Sequence, residues 1–353
     1  MSKKTKDTTV DIDYADQAVP KEGRKGFLTM FMIMLGFTFF SASMWVGQQM
    51  AAGLDFWGFI KSLLLGGAIL GVYTGLLGYV GAKTGLSMDL LAKRAFGEKG
   101  SYLSSAMISF TQIGWFGVAM FAIPVSGELL GGSKAAMWAL VLVAGGCMTA
   151  SAYFGIDSLT VVSYIAVPLV AILGTVAMVM AVRQGNGTIV DQFAVSSGSV
   201  TVIGGAGMVV GSFVSGGTAT PNFARFAKDA KSGTIATVVA FFIGNSLMFF
   251  FGAIAYIFVG GNDIFEVMIR LNLFYMAILV LGLNIWTTND NALYSAGLGL
   301  ANIFRQKKKP MVLISGIIGT LLSVWLYYNF CNWLNVLNSS AGRDYPGALV
   351  LYK

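Results

Sequence analysis

Gly211-Ser212-Phe213-Val214-Ser215-Gly216-Gly217-Thr218-Ala219-Thr220-Pro221-Asn222 runs through a stretch otherwise apolar enough to cross a bilayer, and so does Gly36-Phe37-Thr38-Phe39-Phe40-Ser41-Ala42-Ser43. A lipid-facing span carries Leu, Ile and Val at that depth. These stretches carry Gly, Ser and Thr instead, and the later one adds a Gly-Gly pair and a proline, which lacks an amide hydrogen and clashes with the preceding turn. Irregular backbone inside a membrane is tolerated only where it is buried in protein or lines a cavity. Both stretches therefore read as broken helices facing a site; close helix packing through small residues is the alternative. They lie about 175 residues apart, and the same offset carries spans two to four onto spans seven to nine, as two five-helix units would. Five is odd, so the second unit is inverted. Inverted repeats whose first helices are both broken mark secondary transporters with a substrate and ion site at mid-membrane.

The composition agrees. Of 353 residues, 56% are hydrophobic and 11% charged, against about 25% charged in soluble domains, and mean hydropathy is +0.73. This leaves no room for a large soluble domain. Nine stretches are long and apolar enough for the roughly 30 Å hydrocarbon core: 27–53, 57–81, 102–130, 135–155, 158–182, 199–224, 235–260, 272–302 and 311–333. With the N-terminus in the cytoplasm, 17 of the 23 Lys and Arg fall in cytoplasmic segments, in line with the positive-inside rule. The net charge of +7 thus reports topology rather than nucleic-acid binding. Residues 1–25 are polar and mixed in charge and are expected to form a disordered cytoplasmic tail. The chain has no histidine, which removes His-based triads, relays and metal sites. Cys147 and Cys331 lie far apart in apolar stretches and are expected to be packing residues. No nucleophile–base pair or metal cluster is apparent, so the chain is not expected to be an enzyme and needs no cofactor.

Two further spans carry polar side chains at mid-membrane. In the third, Gln112 and Trp115 are three residues apart and share a helix face, offering an amide and an indole to one flat ligand; the alternative is interhelical packing. In the eighth, Asn284, Thr287, Thr288 and Asn291 follow i, i+3, i+4, i+7 and form one polar stripe. Neutral hydroxyl and carbonyl oxygens suit a small monovalent cation such as sodium better than a transition metal. Asp290 is the one acid in that stretch and falls off the stripe, so it reads as structural or gating, with proton coupling the alternative.

The segments GFTFFSASMW, GYVGAKTGL, TQIGWFGVAMFAIPV, FFIGNSLMFFFGA and LGLNIWTTNDNALYSAGLG resemble the purine-cytosine permeases of the nucleobase-cation symporter family, over about 24–340. The resemblance implies an all-α, leucine-transporter-type fold of inverted five-helix repeats, and import of cytosine with sodium across the bacterial inner membrane. It implies that Gln112 bonds the pyrimidine edge, that Trp115 and Phe213 stack on its two faces, and that Ser212, Ser215, Asn284 and Asn289 add polar contacts. It places the sodium site on the carbonyls of Phe39, Ala42 and Asn284 and the hydroxyls of Thr287 and Thr288.

The resemblance stops near Ser340. The family continues into further helices, whereas 341–353 are polar, broken and read as a divergent tail. The transporter domain is thus expected over 26–340, with a first repeat at about 27–182 and a second, one helix short, at about 199–340. The alternative functions are a permease for another nucleobase or an allantoin-like heterocycle, and a truncated, transport-inactive membrane protein.

Overall fold

A computed structural model of the chain describes residues 13–329 apart from 186–187, 194–197 and 262. Its first span is two helices, α1 (Phe27–Thr38) and α2 (Ser41–Gly53), bent by 56° at the break. The Phe39 amide still bonds the Leu35 carbonyl at 3.0 Å, but the Phe40 amide turns back to the Thr38 carbonyl at 2.8 Å. Phe40 is extended, so the helical ladder stops and the Phe39 carbonyl is left to side chains.

There follow α3 (Phe56–Thr84), α4 (Met88–Gly114), α5 (Ala119–Leu130), α6 (Lys134–Phe154), α7 (Ile156–Gln184) and the short α8 (Ile189–Gln192). The second half runs through α9 (Val202–Thr218), α10 (Pro221–Ala224), α11 (Ala230–Val259), α12 (Ile264–Arg270), α13 (Phe274–Phe304) and α14 (Lys308–Tyr328). Among the described residues, seven helices are long and apolar enough to cross a membrane, and the bent α1–α2 pair makes an eighth. α13 is long enough, at 31 residues, but its polar stripe keeps it outside that group.

The sixth span departs from expectation. α9 is continuous through the glycine pair to Thr218, and the interruption is a turn at Ala219–Thr220 just before Pro221. The glycines serve packing instead: a Cβ on Gly217 would lie 3.0 Å from the Thr74 side chain of α3. Interior proline would break the ladder, so it sits at the first position of α10, where a missing amide hydrogen costs nothing.

The centre is held by α11 against α1, α2 and α3, and by α13 against α4, α7 and α14. α2 and α11 pack so closely that a Cβ on Gly47 would collide with the Phe249 backbone and one on Gly252 with the Met44 backbone. Small residues let membrane helices meet in this way.

One end of the bundle gathers Lys25, Lys83, Arg225 and Arg305 and is called the basic end below. Here the expectation of a disordered tail over residues 1–25 fails from Asp13 onward; residues 1–12 lie outside the described residues. Asp13 is buried, pairs with the buried Lys308 at the start of α14, and accepts the Ile156 amide of α7 at 3.0 Å. Gly155, at φ +83°, leaves the space that the Asp13 carboxylate fills. Arg225, fully buried after α10, donates to the carbonyls of Asp13 and Tyr14, both at 2.7 Å, and to the Tyr294 hydroxyl of α13 at 2.9 Å. The tail is polar because its partners are buried charges, which must be paired to be tolerated. Cys147, expected to be a packing residue, is on the exposed face of α6. Cys331 and the divergent 341–353 lie outside the described residues.

Candidate functional site

The α1–α2 break, α4, α9 and α13 meet around a pocket lined by Phe37, Phe40, Gln112, Trp115, Phe213 and Ser215, with Ser212, Gly216, Thr288 and Ala292. Four of the seven residues expected to touch substrate, Gln112, Trp115, Phe213 and Ser215, are brought together here by hydrogen bonds or ring contacts. The Trp115 indole donates to the Ser215 hydroxyl at 3.1 Å and the Gln112 amide reaches the same oxygen at 3.5 Å. Ser212 lines the pocket, but its hydroxyl donates to the Val209 carbonyl one turn back, at 2.9 Å.

Phe40 is a pocket residue that sequence reasoning did not single out. Its ring stands edge-on to Trp115 at 4.8 Å and to Phe213 at 5.8 Å between centroids. Phe213 is further set by Phe37 at 5.2 Å and Phe241 at 5.2 Å. With these rings packed together the free volume is only about 10 Å³, room for about one water. A planar ligand therefore enters only if Phe40 or a neighbouring ring swings aside. The aromatic faces would then stack on it while the donors at Ser215 read its edge.

Beside this pocket the freed Phe39 carbonyl collects α13. Asn284 Nδ2 donates to it at 2.9 Å and the Thr288 hydroxyl at 2.7 Å. The Ser41 hydroxyl, at the start of α2, donates to Asn284 Oδ1. Phe39, Asn284 and Thr288 of the expected cation set thus converge, and Ser41 joins them unforeseen. Asn284 spends its amide on this junction rather than on the aromatic pocket. Thr287 is fully buried but turns its hydroxyl toward Gly36 and the Ser163 hydroxyl of α7. Ala42 is buried in the first turn of α2 without a hydrogen bond to α13. The donor set is neutral oxygen throughout, which fits an alkali cation. Among the described residues no three His, Cys, Asp or Glu side chains cluster as metal ligands.

Asn289 is a correction. It does not line the pocket; its Oδ1 accepts the Gly117 amide at 3.2 Å and its Nδ2 meets Met148 Sδ at 3.2 Å, tying the α4–α5 turn and α6 to α13. Successive helical residues are turned by about 100°, which carries residue 289 off the face that 284 and 288 share. Asp290 is fully buried on the α6 side beside Ser151, whose hydroxyl also accepts the Trp286 indole at 3.1 Å. Among the described residues no basic side chain pairs with it.

Residues 18–342 match the family model of permeases for cytosine/purines, uracil, thiamine and allantoin. The chain is 48% identical to the cytosine permease of Escherichia coli (strain K12) over 332 residues, covering 94% of this chain and 78% of that protein. Among solved structures it is similar to Mhp1, a nucleobase-cation-symport-1 family transporter captured in a closed conformation with bromovinylhydantoin bound, with TM-score 0.77 and 18% identity over 93% of this chain and 78% of that one. It is also similar to a Na+-coupled sialic acid symporter, with TM-score 0.70 and 14% identity over 94% and 78%. These likenesses agree with the leucine-transporter-type fold, and with a multi-pass membrane transporter rather than an enzyme. The chain belongs to the family of permeases for cytosine/purines, uracil, thiamine and allantoin.

Proposed function

We propose that the chain imports cytosine together with sodium by alternating access, in the bacterial inner membrane, with the basic end in the cytoplasm. The observation that carries this reading is the shared break: the Phe39 carbonyl gathers Asn284 and Thr288, and the next residue, Phe40, packs on Trp115 and Phe213. A cation held at Phe39, Asn284, Thr287 and Thr288 fixes the break and α13, and with them the ring that must move to admit the base. Each ligand then favours the other, and the coupling is reciprocal in binding free energy. Sodium is the ion that neutral hydroxyls and carbonyls suit, and the 48% identity to a cytosine permease supports cytosine as the base.

Gln112 and Ser215 would read the edge of the pyrimidine, and Trp115 and Phe213 its faces. A pocket whose buried polar groups are satisfied by an exocyclic amine rejects an analogue that leaves them unpaired. The basic end, closed by Asp13, Arg225, Tyr294 and Lys308, is the barrier that opens for release. The test is uptake of labelled cytosine by cells lacking their own permease, with sodium or choline outside. Uptake should require sodium and resist excess uracil. Sodium-independent uptake, or equal competition by uracil, would reject the reading.

A further inference from the structure

On the outer face of the bundle α6 and α14 lie side by side, and between them runs an open groove of about 430 Å³. Its floor is set by close packing: a Cβ on Gly145 would collide with the Thr320 side chain, and one on Gly316 with the Thr149 side chain. Its walls are apolar, with Leu142 and Gly146 on α6 and Leu313, Ile317 and Leu321 on α14, and the three leucines and Ile317 are exposed. Gly146 keeps the groove open, since a Cβ there would meet nothing within 4 Å. α6 ends and α14 begins at the basic end: Lys308, the first residue of α14, pairs with Asp13, which also accepts the Ile156 amide just after α6. Tyr153 lines the groove at that end, and Lys309 Nζ stands 5.1 Å from the centre of its ring.

From Tyr153 back to Leu142 the α6 wall runs about 16 Å, at about 1.5 Å per residue, which is close to half of the roughly 30 Å hydrocarbon core. The groove thus has the depth of a single leaflet, with its charged mouth at the level of the headgroups. Lys309 is exposed, and among the described residues neither it nor Lys307 enters an ion pair, while Asp13, Glu98 and Asp157 at the same end already hold basic partners. An acyl chain gains little by leaving bulk lipid for an apolar groove, because lipid tails are as apolar as leucine. Selectivity therefore comes from the mouth, where a lysine beside the membrane surface attracts an anionic headgroup. We propose that this groove seats an acyl chain of an anionic phospholipid from the leaflet at the basic end, with the headgroup on Lys309. The seated tail braces α6, whose Ser151 and Met148 hold Trp286 and Asn289 of α13.

The test titrates the purified full chain in detergent with phosphatidylglycerol, or with phosphatidylcholine carrying the same acyl chains, and follows the melting temperature. Phosphatidylglycerol should raise it at lower concentration than phosphatidylcholine does. Lys309→Gln should raise the half-saturating phosphatidylglycerol concentration about fivefold and leave that for phosphatidylcholine unchanged. Gly146→Leu, which fills the groove, should remove most of the phosphatidylglycerol gain. Native mass spectrometry of wild type should show a retained phosphatidylglycerol that Gly146→Leu loses. An equal response of wild type to the two lipids would overturn the proposal, as would wild-type titrations in both variants. If Gly146→Leu converts a dimer to a monomer and leaves the lipid response intact, the groove seats a second copy of the chain and the lipid assignment fails.

Discussion

Ser215 gathers the polar contacts of the aromatic pocket on one oxygen, because the Trp115 indole and the Gln112 amide both point at it. Replacing it with alanine removes the oxygen that both donors reach, which costs about 1–3 kcal/mol. Ser215→Ala should therefore raise the KM for cytosine about tenfold or more in uptake assays, with half-saturating sodium changed less. At this scale the sequence was readable where a side chain was wrong for its depth: Gln112, Trp115 and Ser215 stand out in spans that lipid would fill with Leu and Ile. Phe40 and Ser41 were not, because a phenylalanine or serine next to a break is unremarkable until its partners, Trp115 and Asn284, are seen across the bundle. Asn289 misled because polarity says that a residue avoids lipid, not which neighbour it faces.

Among the elements, the α1–α2 break was legible and the sixth span only partly so. Gly, Ser and Thr mark both, yet in α9 they serve close packing, and the helix runs on to Thr218. Composition cannot separate the two uses, since a glycine weakens a helix and also lets a neighbour approach. α12 shows what a cap contributes outside the spanning helices. Asp263 accepts the Phe265 and Glu266 amides at 3.0 and 3.2 Å, while burial, and then the Glu266 carboxylate, push its pKa from 3.8 up to about 7. The folded form thus holds a proton that the unfolded form has released between about pH 4 and pH 7, so stability falls as pH rises through that window. Thermal unfolding of the detergent-solubilised chain should show this decline, and Asp263→Asn should flatten it. A slope unchanged by the substitution would refute the assignment.

Across the whole molecule, the strap from Asp13 to Lys25 ties α7, α13 and α14 together at the basic end through Lys308, the Ile156 amide and Arg225. Nothing local in the sequence announces it, because the tail's partners on the bundle lie between 58 and 295 residues away. Asp13→Ala would remove the carboxylate that pairs with the buried Lys308 ammonium, a loss of up to about 3–5 kcal/mol. The strap should loosen, and trypsin should cut after Lys21 and Arg24 faster than in wild type, with sodium-driven accumulation of cytosine reduced. Equal cleavage rates would mean that the strap is held by other contacts.

The claim on which all else depends is that one break joins an aromatic pocket for the base to an oxygen junction for the cation. It is tested most directly by sodium-dependent uptake of labelled cytosine by wild type, Trp115→Ala and Thr288→Ala, each confirmed to insert. The account predicts that Trp115→Ala loses cytosine affinity, while Thr288→Ala recovers uptake only at much higher sodium. If Thr288→Ala keeps the wild-type sodium dependence, or Trp115→Ala the wild-type KM, the two sites are not where the fold brings them together.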